Sequence, residues 1–245
     1  MGRKLAATGL AVATLLAAAS CSGHGGPDTP AGNAPGGANP VEPLSDLPPC
    51  GDIGTTATPP DCALQSRDSA GLAFEVRHSG PQLAVTVLDS SGSQVQTLTE
   101  HPVHTQAEPR LRDLDGDGRD ELIVPLDLTT ANIRYAVYHA TGDATRLERA
   151  GELAGIGIDL SAAGYTVVTA RDSYEKWQIE FWTFAADILQ PLVTAEVQLL
   201  DDGTGHVGGS QCTVIDTGGL ARTGLTQDQA TDQFCAEPAV QRVRR

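Results

Sequence analysis

The chain predicts a mainly β fold built from antiparallel meanders. Three observations carry that expectation. Apolar residues recur with period two from Gly71 onward, Gly- and Ser-rich turns separate the alternating runs, and no long segment of 3.6-residue period intervenes. The 27 glycines and 15 prolines, with only 4% aromatic residues, also suit short strands and many turns better than a helical bundle.

The elements follow in order. Leu72–His78, Leu83–Leu88 and Val95–Leu98 are alternating runs separated by Ser-Gly-Pro and Ser-Ser-Gly-Ser, a meander pattern. Further strands are expected at Glu121–Leu126, Ile133–His139, Arg146–Gly151, Tyr165–Arg171, Trp177–Phe184 and Leu189–Leu199. Pro125 lacks a ladder donor and marks an edge or a strand end. One short helix is expected near the end. Thr226 and Gln229 form a capping box, Leu225 and Ala230 are placed as its hydrophobic staple, and the helix runs to about Cys235. The expected architecture is blade-like: an irregular β-sandwich or partial propeller with one C-terminal helix.

Residues 1–20 read as an export signal, with Arg3 and Lys4 ahead of a small apolar stretch from Leu5 to Ala19. Ala18-Ala19-Ser20-Cys21 resembles the bacterial lipobox, which implies that Cys21 receives a diacylglyceryl thioether and becomes the first residue after cleavage. Buried acyl chains, at about 0.8 kcal/mol per CH₂, then hold the protein on the cell membrane at its extracytoplasmic face. Residues 22–49 carry six Gly and seven Pro in 28 positions and almost no large apolar side chain, so 21–49 is expected to be a disordered tether. Residues 50–245 form the β domain.

Loss of Arg3 and Lys4 takes the formal net charge from −15 to −17. That field opposes phosphate contacts, so the membrane is met through the lipid alone and nucleic acid is excluded as a partner. Lys176 is the only lysine left, which removes any two-lysine mechanism, including the one suggested by Ser173-x-x-Lys176. His101-Pro-Val-His104 has no accompanying ligand pattern and reads as a solvated loop. Cys50, Cys62, Cys212 and Cys235 remain after lipidation of Cys21. Three pairings are open to them, and the expected one is nearest-neighbour, Cys50–Cys62 and Cys212–Cys235.

One stretch carries chemistry, Asp113-Leu-Asp115-Gly-Asp117-Gly-Arg119-Asp-Glu121-Leu. Carboxylates at alternate positions converge only if the loop curls tightly, which Gly116 and Gly118 permit, and a hard Ca²⁺ ion wants six to eight oxygens. An EF-hand would need Glu at the twelfth position, where Val124 stands. These residues resemble the FG-GAP or VCBS-type calcium loop of β-propeller blades such as those of integrin α chains. The resemblance implies one Ca²⁺ site in the loop 113–121. Asp113, Asp115, Asp117 and Glu121 would be its side-chain ligands, Arg119 would give a backbone oxygen, and Asp120 would point away. The wider chain is similar to actinobacterial lipoproteins with one such motif. Propellers repeat the loop in every blade, whereas here it occurs once and the strands suffice for about three blades.

Trp177–Phe184 is the most aromatic stretch and is apolar on both strand faces. It belongs to the core or leaves Trp182, with Tyr174, as a partner contact. The function expected from these features is a Ca²⁺-stabilised, lipid-anchored binding module for an envelope protein or glycan, without catalysis. A lysozyme-type inhibitor and an enzyme acting on envelope polymers are the alternatives.

Overall fold

A computed structural model describes residues 44–51, 61–216 and 218–244. The signal segment, Cys21 and residues 22–43 of the tether lie outside the described residues. The described residues belong to one compact unit, Glu42–Arg245. Residues 48–50 run beside the first strand, with Cys50 N–H donating to Ala63 O at 2.9 Å and Ala63 N–H to Pro48 O at 2.8 Å. Pro48, within the segment expected to be tether, is thus hydrogen-bonded to the first strand.

The architecture is mainly β, as the periodicity demanded, in three successive antiparallel meanders that form no closed barrel among the described residues. Sheet I comprises β1 (Cys62–Gln65), β2 (Ala73–Ser79), β3 (Gln82–Leu88) and β4 (Gln94–Glu100). Sheet II comprises β5 (Arg110–Arg112), β6 (Glu121–Leu128), β7 (Ile133–His139) and β8 (Glu148–Gly155). Sheet III comprises β9 (Gly157–Leu160), β10 (Thr166–Arg171), β11 (Lys176–Ala185), β12 (Ile188–Asp201) and β13 (Val207–Asp216). Helices α1 (Leu220–Thr223), α2 (Gln227–Cys235) and α3 (Pro238–Val243) close the chain. Thr226 caps α2 through the expected capping box.

The sheets stack in series, because each buries at least one apolar face against the next. Leu122, Val124, Leu126, Ala136 and Tyr138 of sheet II pack on Phe74, Val76, Val85 and Val87 of sheet I. The alternate residues Ile123, Tyr135 and Val137 face Ile158, Val168 and Leu189 of sheet III. The other face of sheet III, including Ile179, Phe181 and Val197, is covered by Ala230, Phe234 and Val240 of the helices. Sheet II is thus apolar on both sides, which is why its central run Glu121–Leu126 is wholly buried and does not alternate.

Pro125 lies in β6, an interior strand of its sheet, but β5 pairs only with residues 121–123 and the β6–β7 register shifts between Pro125 and Asp127. The proline stands where one neighbour has ended and the ladder is already broken, so its missing N–H costs little. Both nearest-neighbour disulfides are present, Cys50–Cys62 and Cys212–Cys235, with Cα–Cα distances of 4.9 and 6.0 Å. The second ties the outermost strand of sheet III to α2.

Candidate metal centre

The loop 113–121 joins β5 to β6 and is held at its middle by an apolar anchor. Leu114 is fully buried between sheets II and III. Its N–H donates to Glu121 Oε2 at 2.6 Å, and its carbonyl accepts from the hydroxyl of buried Thr166 at 2.8 Å. With Leu114 turned inward, Asp113 and Asp115 are turned out of the core onto the loop's concave side. Gly116 (φ +79°) and Gly118 (φ +87°) adopt left-handed backbone there, which a side chain would strain.

Loop N–H groups close around the aspartates. Gly116 and Gly118 donate to the two oxygens of Asp113 at 2.6 and 3.0 Å, Asp117 to Asp115 Oδ1 at 3.2 Å, and Arg119 to Asp117 Oδ1 at 2.7 Å. The carboxylates of Asp113, Asp115 and Asp117 fall within 4.8 Å of one another, and so do the ligand atoms of Asp115, Glu121 and His139. This acidic cluster can hold a metal ion.

Glu121 is the anomalous member. It is fully buried, yet Oε1 has no hydrogen-bond partner. Burial, reinforced by the charges of Asp115, Asp117 and Asp113, pushes its carboxyl up to about 9, against the lowering effect of the Leu114 N–H. Asp115 moves the other way, its carboxyl held low chiefly by the hydrogen bond from His139. A buried carboxylate with one orphan oxygen, beside Asp115 and within the field of Asp113 and Asp117, is stable as an anion only beside a cation. The residues fit a metal ion on that ground.

Arg119 and Asp120 lock the loop to its surroundings. The buried Arg119 guanidinium donates from Nε to Asp68 Oδ2 at 3.1 Å, to Ala144 O at 2.9 Å and to Gly142 O. Asp68 is equally buried and also accepts the Asp120 N–H at 3.0 Å. Asp120 itself turns away from the cluster and accepts from Ser66 Oγ and Arg67 N–H of the β1–β2 loop at 3.2 and 3.1 Å.

His139, at the end of β7, was not singled out by sequence reasoning. Its Nε2 is 3.2 Å from Asp115 Oδ2 and 3.8 Å from Glu121 Oε1, while Nδ1 is 3.2 Å from Asp187 Oδ1 in the β11–β12 turn. The only sequence signal was a histidine closing the strand after the apolar run Tyr135–Tyr138. Trp182 is half-buried against the core between sheets II and III, with Nε1–H donating to Glu180 Oε2 at 3.0 Å. Tyr174 is 77% exposed, with the Arg171 guanidinium 5.5 Å from its ring centre. Lys176 is paired to Glu196 at 2.8 Å and the Ser173 hydroxyl accepts the Lys176 N–H, so both serve the turn before β11. His101 and His104 are exposed.

Comparison of the chain with protein-family models, with curated proteins and with solved structures gives no match.

Proposed function

We propose that the protein is a lipid-anchored binding module on the extracytoplasmic face of the cell membrane, its β domain stabilised by one Ca²⁺ ion held at the loop 113–121, and that it performs no catalysis. The observation supporting the ion is the orphan Oε1 of fully buried Glu121, a residue whose carboxyl lies within 4.8 Å of ligand atoms of Asp115 and His139. Asp113, Asp115, Asp117 and Glu121 offer carboxylate oxygens, and the backbone carbonyl of Arg119 completes a set suited to a hard cation. When bound, the ion supplies charge neutralisation. The protein's own groups do the rest: Leu114 anchors the loop, Arg119 and Asp68 pin its far end, and Thr166 ties it to sheet III. All four carboxylates then act structurally, which leaves none to serve as a general acid or base.

The anchor and tether support the remainder of the reading. Cys21 places the chain at the membrane, and the Gly/Pro-rich segment lets the domain meet an envelope protein or glycan at a distance. The test is a calcium titration of the intact protein by calorimetry, with thermal melts in EDTA and in millimolar CaCl₂. Saturable heat and a raised midpoint are expected. An unchanged midpoint without binding heat would reduce the loop to an acidic turn.

A further inference from the structure

His139 occupies the metal centre from outside the loop. Two ligands held about 2.1 Å from one ion lie about 3.0 Å apart at right angles and about 3.4 Å apart at tetrahedral angles. Nε2 stands 3.2 Å from Asp115 Oδ2, within that range, and 3.8 Å from Glu121 Oε1, a few tenths of an ångström beyond it, so a shared ion would draw the Glu121 oxygen slightly inward. The Glu121 oxygen in question is the fully buried, unpartnered one.

The ring is also held in place. It stacks on Phe184, with centroids 4.2 Å apart and planes 18° from parallel. Its Nδ1 meets Asp187, which lies with Ala186 in the two-residue turn between β11 and β12. Both have left-handed backbone, φ +48° and +63°, although neither is glycine. A two-residue hairpin requires that backbone at both positions, so the turn itself fixes the place of Asp187 beside the ring. A metal at Nε2 would displace the proton that Nε2 gives to Asp115, while Nδ1–H stays on the Asp187 carboxylate, and that outer partner sets tautomer and orientation.

Resting on the reading of this loop as a metal centre, we infer that His139 Nε2 is a ligand of the ion shared by Asp115 and Glu121. Asp187 is its positioning residue, and the centre takes a first-row divalent ion such as Mn²⁺ more tightly than Ca²⁺. Calcium prefers oxygen and gains little from an imidazole, whereas Mn²⁺ accepts carboxylates and nitrogen together. Both ions use the same carboxylates, so they compete.

The experiment loads the intact protein with MnCl₂ or CaCl₂, measures each affinity by calorimetry, and records pulsed EPR on the Mn²⁺ form. Nitrogen modulation from a coordinated imidazole is expected, with Mn²⁺ bound more tightly than Ca²⁺. His139→Gln should remove the modulation and weaken Mn²⁺ at least tenfold while changing Ca²⁺ less than about threefold. Asp187→Asn lies on an exposed turn and leaves the core untouched; it should weaken Mn²⁺ about tenfold. Calcium binding with Mn²⁺ bound but free of nitrogen coupling overturns the imidazole assignment and leaves the calcium reading standing. Nitrogen-coupled Mn²⁺ with no heat from calcium does the reverse. Binding of neither ion overturns both.

Discussion

Replacing Glu121 by glutamine should stabilise the metal-free protein at neutral pH, although it removes a residue from the candidate site. The fold holds this carboxyl near 9, from an ordinary 4.5, chiefly by burial. A group whose value is raised on folding contributes stability that is complete below 4.5 and is lost as pH rises toward 9. At pH 7.5 the cost is on the order of 3–4 kcal/mol, at 1.36 kcal/mol per pH unit. The amide is isosteric and neutral. Its oxygen can accept the Leu114 N–H, and its NH₂ brings no charge into the buried site. In EDTA at pH 7.5 the variant should therefore be more stable by about 3 kcal/mol, a midpoint some 6–12 °C higher for a domain of this size. At pH 5 the gap should fall below about 1 kcal/mol. Millimolar calcium should raise the wild-type midpoint and leave the variant's unmoved. Calorimetric melts at the two pH values, with EDTA and with calcium, decide it. A variant melting no higher than wild type in EDTA at pH 7.5, or a gap that is the same at pH 5, would refute the account of Glu121.

Asp115→Ala should abolish the calcium response; for a Kd of about 10⁻⁴–10⁻³ M the wild-type gain at 1 mM is about 0.4–1.4 kcal/mol, read from paired melts. Asp68→Ala leaves the Arg119 guanidinium buried without its anion and should cost about 3–5 kcal/mol in urea unfolding. A loss below about 1 kcal/mol would show that this pair does not hold the loop. Replacing Cys212 and Cys235 together by alanine should cost about 3 kcal/mol, since the bridge closes a loop with a sequence separation of 23. Cys21→Ala should leave a precursor that incorporates no labelled fatty acid in cells, and continued incorporation would remove the anchor from the proposal.

Local chemistry was legible in the chain wherever one residue's environment is set by its near neighbours. Period-two alternation located β2, β3, β4, β7, β10, β11 and β12, and the capping box located α2. The carboxylate spacing located the acidic loop, and nearest-neighbour pairing located both disulfides. The missed strands have a common cause. β1, β5 and β9 span three or four residues, too few to show a period, and β13 begins Val-Gly-Gly-Ser, with no alternation to read. Pairing orders them instead: β1 on β2, β5 on β6, β9 on β10, and β13 on β12 from Val193 to Asp201. Similarly, β8 continues to Gly155, beyond the expected Gly151, because pairing with β7 carries it on.

The amino-acid sequence by itself determined the β class, the turn positions, the helix cap and the carboxylates that could meet an ion, because each follows from interactions over a few residues. Stacking of the three sheets decided the rest. It buried Glu121 within sheet II, brought Asp68 under Arg119 across 51 residues, set His139 of sheet II against the loop, and set Asp187 of sheet III against His139. Nothing in the spacing of those residues encodes such meetings. They arise because sheet II is apolar on both sides and must be covered by sheet I and sheet III, and that packing carries distant polar groups to one point.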